Sequence, residues 1–407
     1  MRTSTANTFD AGISSLQARQ QELQAAQERL TTGKRVARAS DDPAAAARAE
    51  RAIASINRLD ANQRSVEASR NALQQSESAT GDAVNLMQQA RTALVNAGNG
   101  SYTDSDRGVL ANQLKQLRAS LLEVANRTDG SSGYLFGGQG ASQAPFVDAP
   151  GGVQYQGTPG AIRGNQNENM PLSVDGAAAW MQAPTGNGIF ETKPGPNLVT
   201  GAAASTTASI EVGSVTDPSQ LALVPGTVYS VQFTGAGPTS AYTVLKNGVA
   251  TGVAAPFVSG QAIQVDGMSF AVKGAPANGD TFQIVPSTPT QSIFNTLDRA
   301  ISELQAPSRT PAQVAQTTTF GLRDLDATLG RMTSVRSEIG DAMNSLDGTE
   351  SRFASQKLYS QTEQSNATDL DMVQGISDFQ NQQTGYTAAL KAYSMVQRLT
   401  LFQYLTG

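Results

Sequence analysis

The sequence predicts a mainly helical α+β protein: an elongated, discontinuous coiled-coil bundle formed by the two ends of the chain, with a β-rich domain inserted between them. Three observations carry this prediction. Fourteen of the 17 prolines lie between Pro145 and Pro289, and 25 of the 38 glycines between Gly130 and Gly279. Both residues are kept out of helix interiors, Pro because it removes a hydrogen bond and Gly because it costs backbone entropy. Outside that stretch apolar residues recur at steps of three and four, a helical seam, and inside it the period changes to two. The expected divisions follow: 1–35 with 365–407 as a terminal coiled-coil assembly domain, 36–139 with 290–364 as a long helical bundle, and 140–289 as a β-rich outer insertion.

The first helix is read from Phe9, Ile13, Leu16, Gln20, Leu23, Gln27 and Leu30, a heptad seam with glutamine in two of its seven slots. It stops at Thr31-Thr32-Gly33, where glycine suits a helix C-terminus. Asp42-Pro43 opens a second helix: a carboxylate suits the N-cap, and Pro suits the first helical position, whose N–H has no intrahelical partner. Leu59, Val66, Leu73, Thr80, Met87 and Leu94 then recur every seven residues. A helix over 43–96 is about 80 Å long at ~1.5 Å per residue. Asn99-Gly100 turns the chain, and Thr103-Asp104-Ser105 caps a third helix with the stripe Leu110, Leu114, Leu117, Leu121 and Val124. The short connection makes the two helices antiparallel.

Beyond Asp129-Gly130 the strands begin. Tyr229, Val231 and Phe233 alternate with Ser230 and Gln232. Ile263 and Val265 lead into Asp266-Gly267 and then Met268, Phe270 and Val272, a two-residue hairpin signal, and Asn247-Gly248 and Asn278-Gly279 mark further turns. Helical periodicity resumes at Ile293, Leu297, Ile301 and Leu304 and continues through Leu322, Leu325, Leu329, Met332, Ile339, Met343 and Leu346. The last segment carries Val373, Ile376, Phe379, Tyr386, Leu390 and Tyr393, then Val396, Leu399, Phe402 and Leu405, again interrupted by Gln383 and Gln397. Such narrow seams cannot be buried by one helix, so the N- and C-terminal helices are expected to pair.

Composition excludes several functions. The chain has no Cys and no His, which removes thiolate sites, the commonest general base and the commonest metal ligand. Residues 130–289 hold four basic and eight acidic residues, and the rest is nearly balanced, so no basic surplus favours nucleic acid. No apolar run approaches the ~18 residues of a membrane span, and no charged-then-apolar leader opens the chain. Gly33-Lys34 lacks the spacing and the Ser or Thr of a phosphate loop. Asp41-Asp42 reads as a cap rather than a metal or acid–base pair, Gly137-Gly138-Gln139-Gly140 as a flexible connection, and Trp180 as local core. The sequons at Asn99, Asn126 and Asn366 are short enough to arise by chance. No enzyme, cofactor or metal site is expected.

The run Glu28-Arg29-Leu30-Thr31-Thr32-Gly33-Lys34-Arg35-Val36 with Ser40-Asp41-Asp42-Pro43 resembles the N-terminal signature of the flagellin superfamily. Met1 to Thr5, Pro43, the stretches 86–100 and 125–138, the turn Gly279 to Phe282 and the ending Leu401 to Leu405 resemble the members that sit where hook meets filament. That resemblance implies an extracellular axial protein, exported uncleaved through the flagellar type III apparatus. It implies a collar of identical subunits between hook-associated protein 1 and the first flagellins, and a cytosolic export chaperone on the C-terminal helical region. The assembling residues are then Phe9, Ile13, Leu16, Leu23 and Leu30, with Ile376, Phe379, Tyr386, Leu390, Tyr393, Leu399, Phe402 and Leu405. The alternatives are a filament flagellin or a secreted adhesin acting through the β domain.

Overall fold

The computed structural model describes residues 5–130, 133–163, 170–202 and 205–405, with side chains described from residue 10 to residue 395 except those of the gaps and of residue 238. The helices are α1 (Thr5–Thr32), α2 (Pro43–Ala97), α3 (Asp104–Ala125), α4 (Gly176–Trp180), α5 (Ile293–Gln305), α6 (Pro311–Thr368) and α7 (Met372–Leu405). The chain forms two compact units, Met1–Arg64 with Gly348–Gly407, and Ser65–Asp347.

The helix ends follow the local chemistry. Gly33, at φ 66°, ends α1 in a conformation that favours glycine. Asp42 caps α2 through the Ala45 N–H, 2.9 Å from its Oδ1. Thr103 and Asp106 close a capping box on α3, the Thr103 N–H donating to Asp106 Oδ2 at 2.9 Å. The helical pattern expected to run on from Leu304 breaks at Ala306–Thr310, because Pro307 cannot continue the ladder and Ser308 sits at φ 57°. Pro311 then starts α6 at the position where its missing N–H costs nothing.

In the unit Ser65–Asp347 the seven-residue row of α2 is the core: Val66, Thr80, Met87 and Leu94 are 0% exposed and Leu73 2%. Leu114 and Leu121 of α3 and Leu325, Met332, Val335 and Ile339 of α6 are buried with them. Each such apolar side chain contributes about 1.5–3 kcal/mol by leaving water. Ion pairs Arg91–Asp326 at 2.7 Å and Arg336–Glu77 at 2.8 Å (Nε to Oε1) run α2 and α6 antiparallel. Arg118 of α3 reaches Asp298 of α5 and Asp148 in the first hairpin, at 2.6 and 2.8 Å.

That hairpin is β1 (Phe146–Ala149) with β2 (Gly152–Tyr155). Beside it α4 delivers Trp180, 1% exposed, which stacks on Phe294 at 5.8 Å and meets Phe136 edge-on at 5.4 Å. Trp180 is core. The Gly137–Gly140 segment, expected to be flexible, is a fixed crossing: the Gln139 N–H donates to the Thr158 carbonyl at 2.8 Å. A Cβ on Gly138 would lie 1.9 Å from that same oxygen, which leaves room only for glycine.

The insertion is a two-sheet sandwich. Its strands are β3 (Phe190–Pro194), β4 (Ala208–Ile210), β5 (Ser214–Val215), β6 (Tyr229–Thr234), β7 (Ala241–Lys246), β8 (Val249–Pro256), β9 (Ala262–Val265), β10 (Met268–Gly274) and β11 (Thr281–Pro286). One antiparallel sheet has the order β3-β11-β6-β7-β8, and in the other β10 pairs with β4, β5 and β9. Tyr229, Val231, Phe233, Phe282 and Ile284 of the first meet Ile210, Ile263, Val265, Met268, Phe270 and Val272 of the second in one buried cluster. Asn247 (φ 49°)–Gly248 and Asp266 (φ 45°)–Gly267 (φ 76°) make the expected tight hairpins. Arg323 of α6, almost fully buried, fixes this sandwich to the helix. Its Nη1 donates to the Thr192 carbonyl at 3.0 Å, its Nε to Asp324 at 2.7 Å, and its guanidinium lies over the Phe320 ring at 4.3 Å.

Candidate assembly surface of the paired termini

In the other unit, α1 and α7 run antiparallel, and three pairs of opposing residues set the register. A Cβ added to Gly12 would lie 3.4 Å from the Tyr393 ring, one on Gly385 2.9 Å from Arg19 Nη1, and one on Gly375 3.3 Å from Leu30 Cδ2. Glycine on a helix face lets the neighbouring side chain sit down against the backbone. The two connections at one end of this pair are joined. The Arg35 and Val36 N–H groups donate to the Thr368 carbonyl at 2.8 and 3.2 Å, and the Leu370 N–H to the Gly33 carbonyl at 2.9 Å. Arg35 adds Nη2 to the Ala367 carbonyl at 2.9 Å. Val36, Ala45, Ala49 and Ala367 bury a small core beneath this clasp.

The carboxylates here serve the backbone. Asp42 is held below its ordinary 3.8, first by the Ala45 N–H and then by Arg35. Asp41 accepts from the Ala37 and Arg38 N–H groups at 3.1 and 2.9 Å. Asp371 caps α7, accepting from the Val373 N–H at 2.9 Å. Lys34 lies in a bridge to Asp369, not in a phosphate loop. Among the described residues no group of three His, Cys, Asp or Glu could hold a metal, and no helix is long and apolar enough to cross a membrane. The Asn126 side chain exchanges two bonds with the Phe146 backbone, at 2.8 and 2.9 Å, so that sequon is structural.

The sequence-predicted seam divides. Ile13, Leu16, Leu23 and Leu30 of α1 are half-buried, as are Phe379, Tyr386 and Tyr393 of α7. With Gly375, Gln382 and Ala389 these α7 residues form the covered row, at alternating steps of four and three. Ile376 and Leu390 belong to a different row. They are 47% and 42% exposed, and Val373, one turn before Ile376, is 82% exposed. Phe9, Leu399, Phe402 and Leu405 lie within α1 and α7, but their side chains fall outside the described residues.

Two sets of residues lie outside the expected assembling residues. Val373, read in the period of the last segment but not among those residues, is an exposed apolar side chain on α7, as are Met372 and Met395, with Leu358 and Tyr359 on α6. A second heptad row one residue out of step with the first was the available signal for Val373. Gly12, Gly375 and Gly385 were signalled by glycine inside a helical pattern, which points to close approach.

A family profile described as the bacterial flagellin N-terminal helical region matches residues 4–141. Flagellar hook-associated protein 3 of Escherichia coli K12 is 26% identical over 413 aligned residues, which cover 99% of this chain and 99% of that one. The crystal structure of flagellar hook-associated protein 3 from Legionella pneumophila superposes with a TM-score of 0.68 at 28% identity, over 77% of this chain and 97% of that one. A flagellin of Clostridium tyrobutyricum is 28% identical, but over 32% of this chain and 34% of its own length.

Proposed function

We infer how this chain works from one premise: it belongs to the flagellin family, as a full-length homologue of flagellar hook-associated protein 3. It is a structural, non-enzymatic protein of the hook–filament junction, in the extracellular axial structure. Our reading is that identical copies form a collar there, with hook-associated protein 1 on one side and the first flagellins on the other. A cytosolic export chaperone covers the C-terminal helical region before secretion by the flagellar export route. We assign assembly to the division 1–35 with 365–407, the subunit's own bundle to 36–139 with 290–364, and the outer surface to 140–289.

The observation that supports this reading is the uncovered row of α7. Within one chain α1 covers Phe379, Tyr386 and Tyr393, while Val373, Ile376 and Leu390 stay in water. Apolar residues at heptad spacing on an exposed helix face gain by meeting another helix. The covered row, with Ile13, Leu16, Leu23 and Leu30, builds the hairpin; we assign the uncovered row, and with it Leu399, Phe402 and Leu405, to contacts with neighbouring subunits. Helices matched above and below then pass torque from a curved hook to a stiffer filament.

The test is genetic and structural. Deleting the gene should leave hooks intact and flagellin shed into the medium. Complementation with Leu390→Asp or Phe402→Asp should fail while the chain remains folded, because a charge in a buried seam is costly. Filament growth on hooks of the deletion strain would refute the junction role, and growth with either variant would refute the assigned surface.

A further inference from the structure

The two units differ in charge. Met1–Arg64 with Gly348–Gly407 holds 14 basic and 12 acidic residues, and Ser65–Asp347 holds 15 and 22. In the latter unit Arg70, Arg91, Arg107, Arg118, Arg127, Arg299 and Arg336 each meet a carboxylate. In the former, Arg48, Arg51 and Arg58 stand exposed on one face of α2, within about 80° of each other at 100° per residue, and form no ion pair among the described residues. Arg51 donates only to its own helix, Nε to the Ala47 carbonyl at 3.1 Å. Like charges three residues apart on a helix repel, and Glu363, which lines the same groove as Arg48 and Arg51, closes no ion pair with either among the described residues.

A surface of the opposite character lies on α6 in the unit Ser65–Asp347. Its exposed face reads Gly330, Ser334, Glu338, Asp341 and Ser345. Asp341 has no ion pair among the described residues, and Glu338 has one exposed contact, to Arg331 at 3.1 Å. A Cβ on Gly330 would meet nothing within 4 Å, so no contact inside the chain calls for glycine there, although it weakens the helix. One face is long-armed and basic, the other small and acidic. In each, two charges are three residues apart: Arg48 with Arg51, and Glu338 with Asp341.

We propose that the Arg48–Arg51–Arg58 face of α2 in one copy docks on the Glu338–Asp341 face of α6 in a second copy. This rests on the collar reading and names one of its self-contacts. Charge complementarity selects the occupant. The small residues around the acids leave room for arginine side chains, which could not lie flat on a bulky face. The two faces differ, so the contact is head-to-tail. Each copy offers one of each, and association passes from copy to copy instead of closing as a two-fold dimer.

The chain has no cysteine, which makes a clean test available. Hook–filament structures are isolated from strains carrying Arg51→Cys, Asp341→Cys or both, and oxidised. Recovery of the chain at the junction is scored first, by antibody labelling. If the wild-type chain is absent there, the collar reading itself fails, and this contact with it. With the chain in place, the double variant should give a ladder extending beyond dimers and each single variant none. Incorporation of the double variant without cross-links, or dimers from a single variant, overturns the docking. A second arm uses charge. Arg48→Glu with Arg51→Glu should cut incorporation to background, and adding Glu338→Arg with Asp341→Arg should restore it. No restoration, with all chains melting alike, also overturns it.

Discussion

The heptad row of α2 and that of α7 look alike in the sequence and end in opposite situations. In the unit Ser65–Asp347, Val66, Leu73, Met87 and Leu94 are sealed, none more than 2% exposed. On α1 and α7 no predicted seam side chain among the described residues is buried, and Ile376 and Leu390 keep nearly half their surface in water. The first row is interrupted by Thr80, which bonds to its own helix at 2.8 Å and is still wholly enclosed. The second is interrupted by Gln383 and is narrow. Periodicity therefore identifies a seam but not its partner. What separates the two cases is how much of each row is covered: among the described residues α7 packs along one helix, α1, which covers one of its rows and leaves the next in water.

The strongest way to break this comparison is to damage the complete core. Trp180→Ala removes a side chain held among Phe136, Phe146 and Phe294. It should cost about 3–5 kcal/mol, read as a fall in the denaturant midpoint of the unit Ser65–Asp347. A change below about 1 kcal/mol would mean this cluster is not core in solution.

How much of this was legible in the sequence follows the same divide. Caps and turns were readable because each is decided by two or three adjacent residues: Asp42-Pro43, Thr103 with Asp106, Asn247-Gly248 and Asp266-Gly267 all sit where local chemistry puts them. The core row of α2 was readable from period alone. The strand order was not, since β10 meets β4, β5 and β9 through contacts far apart along the chain. The Gly138 crossing was misread because its cause, the Thr158 carbonyl, comes from a distant segment. At the terminal surface the sequence placed Ile376 and Leu390 in one seam with Phe379 and Tyr386. A step of three or four leaves adjacent rows one residue apart, and only the docked α1 decides which row is covered.

A smaller loss should follow at the seat of the β sandwich. Arg323→Ala strands the almost fully buried Asp324 carboxylate with Arg299, 3.1 Å away, as its remaining ion-pair partner. Breaking a buried pair in this way costs about 3 kcal/mol. Arg323→Ala with Asp324→Ala should recover part of that. A double variant no more stable than the single one would show that the guanidinium matters through its contact with Phe320 and not through charge.

Leu390→Asp is predicted to be nearly silent in the isolated chain. An exposed position changes stability by about 0.5 kcal/mol or less, so thermal unfolding should match the wild type while junction assembly is lost. This separation of the two readouts sharpens the comparison most. If Leu390→Asp lowered the melting temperature as Trp180→Ala does, the α7 row would be internal core after all.

The most local effect is at the clasp. Asp42 is held below its ordinary 3.8 by the Ala45 N–H and by Arg35. A carboxyl depressed in the folded state binds its proton less readily than in the unfolded chain. Its stabilisation is therefore present above about pH 4 and lost as pH falls through the lower, folded value. Asp42→Asn keeps an oxygen for the Ala45 N–H but loses the charge, whereas Asp42→Ala loses both. Melting curves of the three chains should differ at pH 7 in the order Asp, Asn, Ala, and the first two should converge as pH drops below 3.8. Since the cap belongs to the small Val36–Ala45–Ala367 core, the shift should appear in the terminal unit and leave the transition of the unit Ser65–Asp347 in place. A shift shared equally by both transitions would mean that the clasp couples the termini to the rest of the chain more tightly than its few backbone bonds suggest.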